Sequence, residues 1–430
     1  IFRHGDRTPS STELFPKAPL LPIYETLGNG QLTEAGKMRE YHLGTLLKQK
    51  YNTLLGNSPR YSDVNARSTD FQRTKMSVQL VLKGLYPSTD TTSNQMDWSA
   101  VPIVNLPIIV DSLMFLTACP TYQNELKKVK NSTIVRIKLS KYKDLFDYLQ
   151  ENTGSDMTSD PIIGTSKIYQ YLASQKGMNI TLPQWATANV QKRIEEIVAL
   201  DYELQSATIK MKRLSGGAFV KQLIENMNFK GNTTAPKIYL YGGHEINIAS
   251  VSKAHGLTEP KIPQYGSAII VEKLRNDSGK EFVQMFLWTG VTGNLIAYTL
   301  PKCTTLCPYD TYIRIVKNII PTNEELDCLW NNVTKDQLLT PVARYPMGKK
   351  SNCPEPPPTR NMVALFKSRS PSNTSGGQVK SETASSCPML HDAQAKRAWE
   401  NPSVNGTLPQ MARFAGRKNR FSDYLYVYLR

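Results

Sequence analysis

The chain opens on residues that could do chemistry together: Ile1-Phe2-Arg3-His4-Gly5-Asp6-Arg7-Thr8-Pro9. Two arginines flank one histidine. Arginine presents a planar fork of N–H donors that matches phosphate oxygens. A histidine among guanidinium groups stays neutral in mild acid, because each nearby positive charge disfavours the imidazolium. A neutral imidazole nitrogen is a nucleophile. Gly5 permits a close backbone approach just after it, and Pro9 stops regular structure. An Arg-x-x-x-Arg pair alone would read as a solvated basic loop; the complete string is far more specific.

Two later stretches could complete such a site. In Asp63-Val64-Asn65-Ala66-Arg67-Ser68-Thr69-Asp70, a short strand is expected to end near Ala66. A helix from about Thr69 to Tyr86 should follow, capped by Ser68 or Thr69, with Gln72 at capping-box spacing from Thr69. That places Arg67 at a helix N-terminus, where an arginine is poorly placed unless an anion is its partner. Arg73, further along, is read as a structural salt-bridge residue. The other stretch is Lys237–Tyr241, a short buried strand, followed by Gly242-Gly243-His244-Glu245 and a helical run Ile246–Ala254. Strand, glycine turn and helix N-terminus together make a site geometry. His42 and His255 are read as packing residues.

The opening string resembles the signature of the histidine acid phosphatases, the family of prostatic, lysosomal and venom acid phosphatases and, more distantly, phytases. Gly30-Gln31-Leu32-Thr33-Glu34-Ala35-Gly36, Arg67-Ser68-Thr69-Asp70 and a late histidine followed by an acid extend the resemblance over roughly residues 1–330. It implies an α/β fold of the phosphoglycerate-mutase type, a mixed central sheet flanked by helices, with a smaller α-helical domain inserted. It also implies a phosphomonoesterase that forms a phosphohistidine on His4, with Arg3, Arg7, Arg67 and His244 around the phosphoryl group and neither metal nor cofactor. The family's usual acid is Asp after the second histidine; here it is Glu245. Glutamate has a similar intrinsic pKa but one more methylene, about 1.5 Å of extra reach. Glu245 is the expected proton donor and Asp6 the reserve. Two other readings stay open: a catalytically weak secreted relative of the venom-allergen kind, and an inositol-polyphosphate phosphatase or mutase-type phosphotransfer protein. By the same resemblance Cys303 pairs with Cys307, and Cys119 with Cys328.

Length and composition bound the rest. The 430 residues carry a net charge of +16. Residues 335–430 hold 15 Lys+Arg against 6 Asp+Glu, which leaves +7 for residues 1–334. A basic body steers anionic substrates such as small phosphate monoesters. No aromatic-basic module for nucleic acid is evident, and no stretch reaches the roughly 18 apolar residues of a membrane span. Zinc is a weak alternative for Cys303-x-x-x-Cys307, because no second pair follows at metal spacing. Six cysteines and seven Asn-x-Ser/Thr sequons (Asn131, Asn179, Asn232, Asn276, Asn332, Asn373, Asn405) favour a secreted or lysosomal, lumenal glycoprotein. The start at Ile1, inside what should be a buried strand, reads as an N-terminal truncation that removed a signal peptide.

The expected organisation is an α/β domain from 1–118 and 226–334, a helical insert at 119–225 that supplies a lid, and a basic, low-complexity tail at 335–430. A hairpin is expected from Ser267–Leu274 and Glu281–Trp288. A strand over Val101–Val110 is expected to be broken by Pro102 and Pro107. Cys353 and Cys387 have only each other as partners, and a homodimer is compatible with the whole.

Overall fold

The computed structural model describes residues 1–56, 60–87, 100–229, 235–290 and 295–328. The tail, Cys353, Cys387 and the sequons at Asn232, Asn332, Asn373 and Asn405 lie outside the described residues. Short apolar segments between glycine, proline and polar turns form the strands of one sheet. They are β1 (Phe2–Arg3), β2 (Val64–Thr69), β3 (Ile103–Leu106), β4 (Ile238–Gly243), β5 (Ala268–Arg275), β6 (Glu281–Trp288), β7 (Leu295–Tyr298) and β8 (Cys307–Pro308). Across the sheet the order is β3-β2-β4-β1-β5-β6-β7, with β8 beside β6. The first four strands in that order are mutually parallel, and from β5 onward the pairing is antiparallel. This is the mixed α/β sheet the sequence led us to expect.

The helices are α1 (Pro22–Leu27), α2 (Glu34–Leu55), α3 (Gln72–Leu85), α4 (Pro120–Lys130), α5 (Thr133–Ser140), α6 (Lys143–Thr153), α7 (Pro161–Gly177), α8 (Ala188–Leu204), α9 (Ile209–Lys212), α10 (Ala218–Met227), α11 (Glu245–Ala254), α12 (Tyr309–Val316) and α13 (Asn323–Leu326). On one sheet face, Leu43, Leu47, Val78, Val81 and Leu82 of α2 and α3 bury Phe2 and Leu240. On the other, Phe219, Ile248, Val251 and Tyr312 of α10 to α12 cover Tyr241 and Ile269. Between Val135 and Leu204 the helices pack on a core of their own, built from Leu145, Leu149, Ile162, Ile168, Ile194 and Ile197. Phe219 and Val220 of α10 belong to the sheet's core rather than to that one. Parallel strands need both faces covered, and these helices do so.

α2 starts at Glu34, as the capping residue Thr33 leads one to expect: its hydroxyl accepts from the Gly36 amide at 3.1 Å. Other boundaries differ from expectation for identifiable reasons. β3 is confined between Pro102 and Pro107, neither of which can donate to a ladder. The short helix α1 lies within residues 10–30, whose Pro, Ser and Gly content reads as a loop, and α5 and α12, eight residues each, are too short for their periodicity to stand out. The largest correction concerns Arg67. β2 continues through Thr69, because Ser68 pairs with Gly242 and Thr69 with Leu106. The following helix begins only at Gln72, with Phe71 at the N-cap position and no side-chain capping bond. Arg67 is therefore a strand residue, and the arginine in the first turn of α3 is Arg73.

Both expected disulfides are formed, Cys119–Cys328 and Cys303–Cys307, each with Cα atoms 5.6 Å apart. The sequons Asn131, Asn179 and Asn276 are exposed.

α2 and α3 touch backbone to backbone. A Cβ at Gly44 would stand 2.2 Å from the Val81 carbonyl oxygen, and one at Gly84 would stand 2.2 Å from that of Tyr41. Neither neighbour is a movable side chain. Gly44→Ala should therefore destabilise the protein by about 1–3 kcal/mol, the usual cost of overpacking. The check is the midpoint of denaturant unfolding; an unchanged midpoint would show that the two helices can part at no cost.

Candidate active site

The site grows from the register of two parallel neighbours. Arg3 of β1 lies opposite Gly243 of β4, so the residues that follow, His4 and His244, leave the same edge of the sheet side by side. Their ring centroids are 5.4 Å apart. The His4 amide donates to the Gly243 carbonyl at 3.0 Å, and the Gly266 amide donates to the His4 carbonyl at 3.1 Å. His4 is thus held between β4 and the loop before β5.

The rest of the opening string is fastened to the segment ahead of α2. The Thr8 amide donates to Gln31, that of Gly30 to Pro9 and that of Thr33 to Asp6, all at 2.9–3.0 Å. A Cβ at Gly5 would stand 2.3 Å from the Gly36 oxygen, so only glycine lets this loop lie on the helix. The Asp6 carboxylate is buried and takes Arg39 Nε at 2.5 Å. Asp6 fixes the loop through Arg39.

The His4 ring has a definite tautomer. Its Nδ1 lies 2.9 Å from the Gly5 carbonyl oxygen, which can only accept. Nδ1 therefore carries the hydrogen and Nε2 the lone pair. Burial first, then the charges of Arg73 and Arg3, hold the His4 pKa well below the ordinary imidazole range. The same causes lower His244 to about 3. His244 Nε2 lies 3.0 Å from the Thr69 hydroxyl, and its ring meets Phe71 edge-on at 5.0 Å.

Three guanidinium groups surround these rings. Arg3 is 2% exposed; it donates to the Pro263 carbonyl at 2.8 Å and to Gln170 Oε1 at 3.1 Å, and stacks 4.1 Å over the Tyr265 ring. Its ion partner is Glu245, with Nε to Oε2 at 3.1 Å. Arg7 makes a bidentate pair with Glu13, both bonds at 2.7 Å, and the Ser10 amide locks Glu13 from behind. Arg73 lies on the Phe71 ring at 4.5 Å. Among the described residues it has no ion pair, and its Nε is buried without a hydrogen-bond partner. Burial and then the charge of Arg7 lower its pKa to about 10. An arginine so placed, at a helix N-terminus, is short of an anion.

Arg67 is not part of this group. Its guanidinium bonds Asp111, a fully buried carboxylate that also accepts the Met114 amide at 3.0 Å. The structure thus brings Arg3, His4, Arg7, His244 and Glu245 together and leaves Arg67 outside; Arg73 stands in the place expected of it. The signal for Arg73 was present in the sequence as a first-turn arginine, once the strand before it is given its true length. Glu13 could have been found from the capping-box spacing Ser10-x-x-Glu13. Gln170 and Tyr265 come from remote elements and leave no local sign.

Glu245 is the first residue of α11, and its carboxyl group faces the site. One ligand atom from each of His4, His244 and Glu245 lies within 4.8 Å of the others. Such a trio could in geometry hold a metal ion, but three surrounding guanidinium groups oppose a cation there. Gln170 of α7 bonds Glu245 Oε1 at 3.2 Å as well as Arg3, so one amide from the helical region orients both members of the ion pair. Burial raises the Glu245 pKa, and the attraction of Arg3, with His244 and Arg7, outweighs it and brings the value to about 2.

These shifts give a checkable state. At about pH 5 both rings should be neutral, with His4 protonated on Nδ1, and long-range ¹H–¹⁵N correlation spectra should show it. An imidazolium signal for either residue would contradict the geometry. The unfolded chain protonates His244 near its ordinary value of 6.5 and the folded chain near 3. Stability is therefore complete above pH 6.5 and lost progressively as pH falls toward 3.

A family model of the histidine phosphatase superfamily (branch 2) matches residues 1–287. Venom acid phosphatase Acph-1 of Apis mellifera is 36% identical over 337 residues, covering 76% of this chain and 86% of that protein. Human prostatic acid phosphatase is 29% identical over 343 residues, covering 77% and 87%. Among solved structures, the phytase of Citrobacter braakii superposes with a TM-score of 0.57 at 15% identity, over 76% of this chain and 97% of that one. That likeness is one of fold. The matched residues include both histidines of the site and their adjoining strands, and the chain belongs to the histidine phosphatase superfamily, branch 2.

Proposed function

We propose that the chain is an acid phosphatase that hydrolyses phosphate monoesters through His4, without a metal ion. The observation that carries this reading is the charge around His4. Arg3, Arg7 and Arg73 supply three positive charges, and Glu245 and Glu13 supply two negative ones. With both histidines neutral, one unit of positive charge remains in a mostly buried space. A phosphoryl group is the ligand whose charge and oxygen geometry answer it.

His4 Nε2, with its lone pair directed by the Nδ1–H bond, attacks phosphorus. The ester P–O bond breaks in line with it, and the leaving oxygen takes a proton from Glu245. Water then attacks the phosphohistidine and gives its proton back to Glu245, and the N–P bond breaks to restore neutral His4. Arg3, Arg7, Arg73 and His244 stabilise the charge on the equatorial oxygens. Arg73 takes the role first given to Arg67.

Glu245 needs a proton to act first as an acid, yet with Arg3 as its partner it is ionised. Substrate resolves this. Phosphate oxygens compete for Arg3 and so raise the Glu245 pKa, and below about pH 6 a phosphate monoester arrives with a proton of its own. Both effects favour acid pH. Asp6 is committed to Arg39 and is the weaker candidate for the donor. The exposed sequons and the disulfides support a secreted or lumenal location. A homodimer is compatible with this reading and is read from the mass in solution.

The direct test is acid-free trapping of a labelled phosphoenzyme followed by peptide mapping: phosphate should sit on the peptide of His4 and vanish in His4→Ala, and label that persists in that variant would move the nucleophile elsewhere. Chelator should leave turnover unchanged. Arg73→Ala should lower kcat/KM by about 10²–10³, whereas Arg67→Ala should act mainly on stability by leaving Asp111 buried and unpaired. Equal catalytic losses in the two variants, at equal stability, would return Arg67 to the site. Glu245→Gln should slow alkyl phosphates by about 10²–10⁴ and aryl phosphates much less, since an aryl oxide leaves without a proton. A uniform loss would assign Glu245 to binding alone.

A further inference from the structure

The helix α5 presents an outer face that the described structure leaves uncovered. Its buried side is Val135 and Leu139, which pack against the helical core. The opposite side carries Ile134, Ile137, Lys138 and Lys141, neighbours at helical spacing. Ile134 is 70% exposed and Ile137 59%, among the most exposed large apolar side chains in the described residues. Lys138, Lys141 and the adjoining Arg136 and Lys127 are exposed too, and none makes an ion pair among the described residues. No acidic side chain lies in α5 or at its C-cap, residues 133–141, so the exposed isoleucines share their helix with cations and no anion.

We propose that this face docks the enzyme on a bilayer surface that bears anionic headgroups. The two isoleucines would enter the headgroup–acyl boundary, and the lysines, whose stems reach past them, would meet lipid phosphates and carboxylates. A soluble polyanion would satisfy the lysines and leave the isoleucines in water.

The full chain is tested by flotation with vesicles of phosphatidylcholine, with and without phosphatidylserine. Binding should require the anionic lipid and weaken with salt. Lys138→Ala with Lys141→Ala should reduce partitioning about 30-fold, and Ile134→Ser with Ile137→Ser about tenfold. Both variants should keep the wild-type rate on a soluble aryl phosphate and the same unfolding midpoint. The sequon at Asn131 adjoins the helix, so the measurement is made before and after enzymatic deglycosylation. Binding equal on neutral vesicles, or seen only after glycan removal, would overturn the proposal. Loss in the lysine pair alone, with retention on immobilised heparin, would assign the face to polyanions instead.

Discussion

Three guanidinium groups share one mostly buried space, and the positive charge left over constrains everything near it. Isolated charge is costly away from water, so each arginine is held by something the fold must supply. Glu245 and Gln170 hold Arg3, and Glu13 holds Arg7. Among the described residues, Arg73 has no ion pair and lies on the aromatic face of Phe71. The same field keeps both imidazoles neutral. A neutral ring beside unanswered positive charge is an unfavourable arrangement for a resting core and a suitable one for a surface meant to meet an anion. The site thus carries its strain as electrostatics rather than as distorted backbone.

The sheet makes this arrangement cheap to build. β1 and β4 are parallel neighbours, so two histidines far apart in the sequence emerge in register without any loop having to place them. The glycine contact between the opening loop and α2 then brings Arg7 and Asp6 under control within a few residues. What the sheet cannot provide comes from the helical region: Gln170 reaches over from α7 to bond both partners of the Arg3–Glu245 pair. The orientation of the Arg3–Glu245 pair is therefore a property of two cores at once.

How much of this could be read in the sequence follows from how local each feature is. Arg3, His4 and Arg7 lie within five residues, and the complete string around them points to an anion site. His244 and Glu245 follow a strand and two glycines, a local pattern as well. Arg73 was misjudged for a tertiary reason. Nothing in Arg67-Ser68-Thr69 itself says that the strand continues; pairing of Thr69 with Leu106 on β3 does. Extending β2 by three residues moves the helix start and with it the arginine that occupies the first turn of α3. Asp111, which neutralises Arg67, lies 44 residues away, and Gln170 and Tyr265 are likewise recruited by packing. The two disulfides agree with a pairing suggested by resemblance; no spacing rule would have chosen it.

The bond between Cys119 and Cys328 spans 209 residues of chain. It joins the start of α4 to the segment after α13, and every helix of the second core lies inside the closed circuit. β4 through β8 lie inside it as well. A protease that cuts one exposed turn anywhere along that circuit opens the ring without releasing a fragment: the two new ends stay on one covalent molecule, tied at Cys119. The pieces of the catalytic edge remain at high effective concentration and find one another again. Among proteases, a nicked chain of this kind can migrate as two bands after reduction and still be a single working enzyme before it.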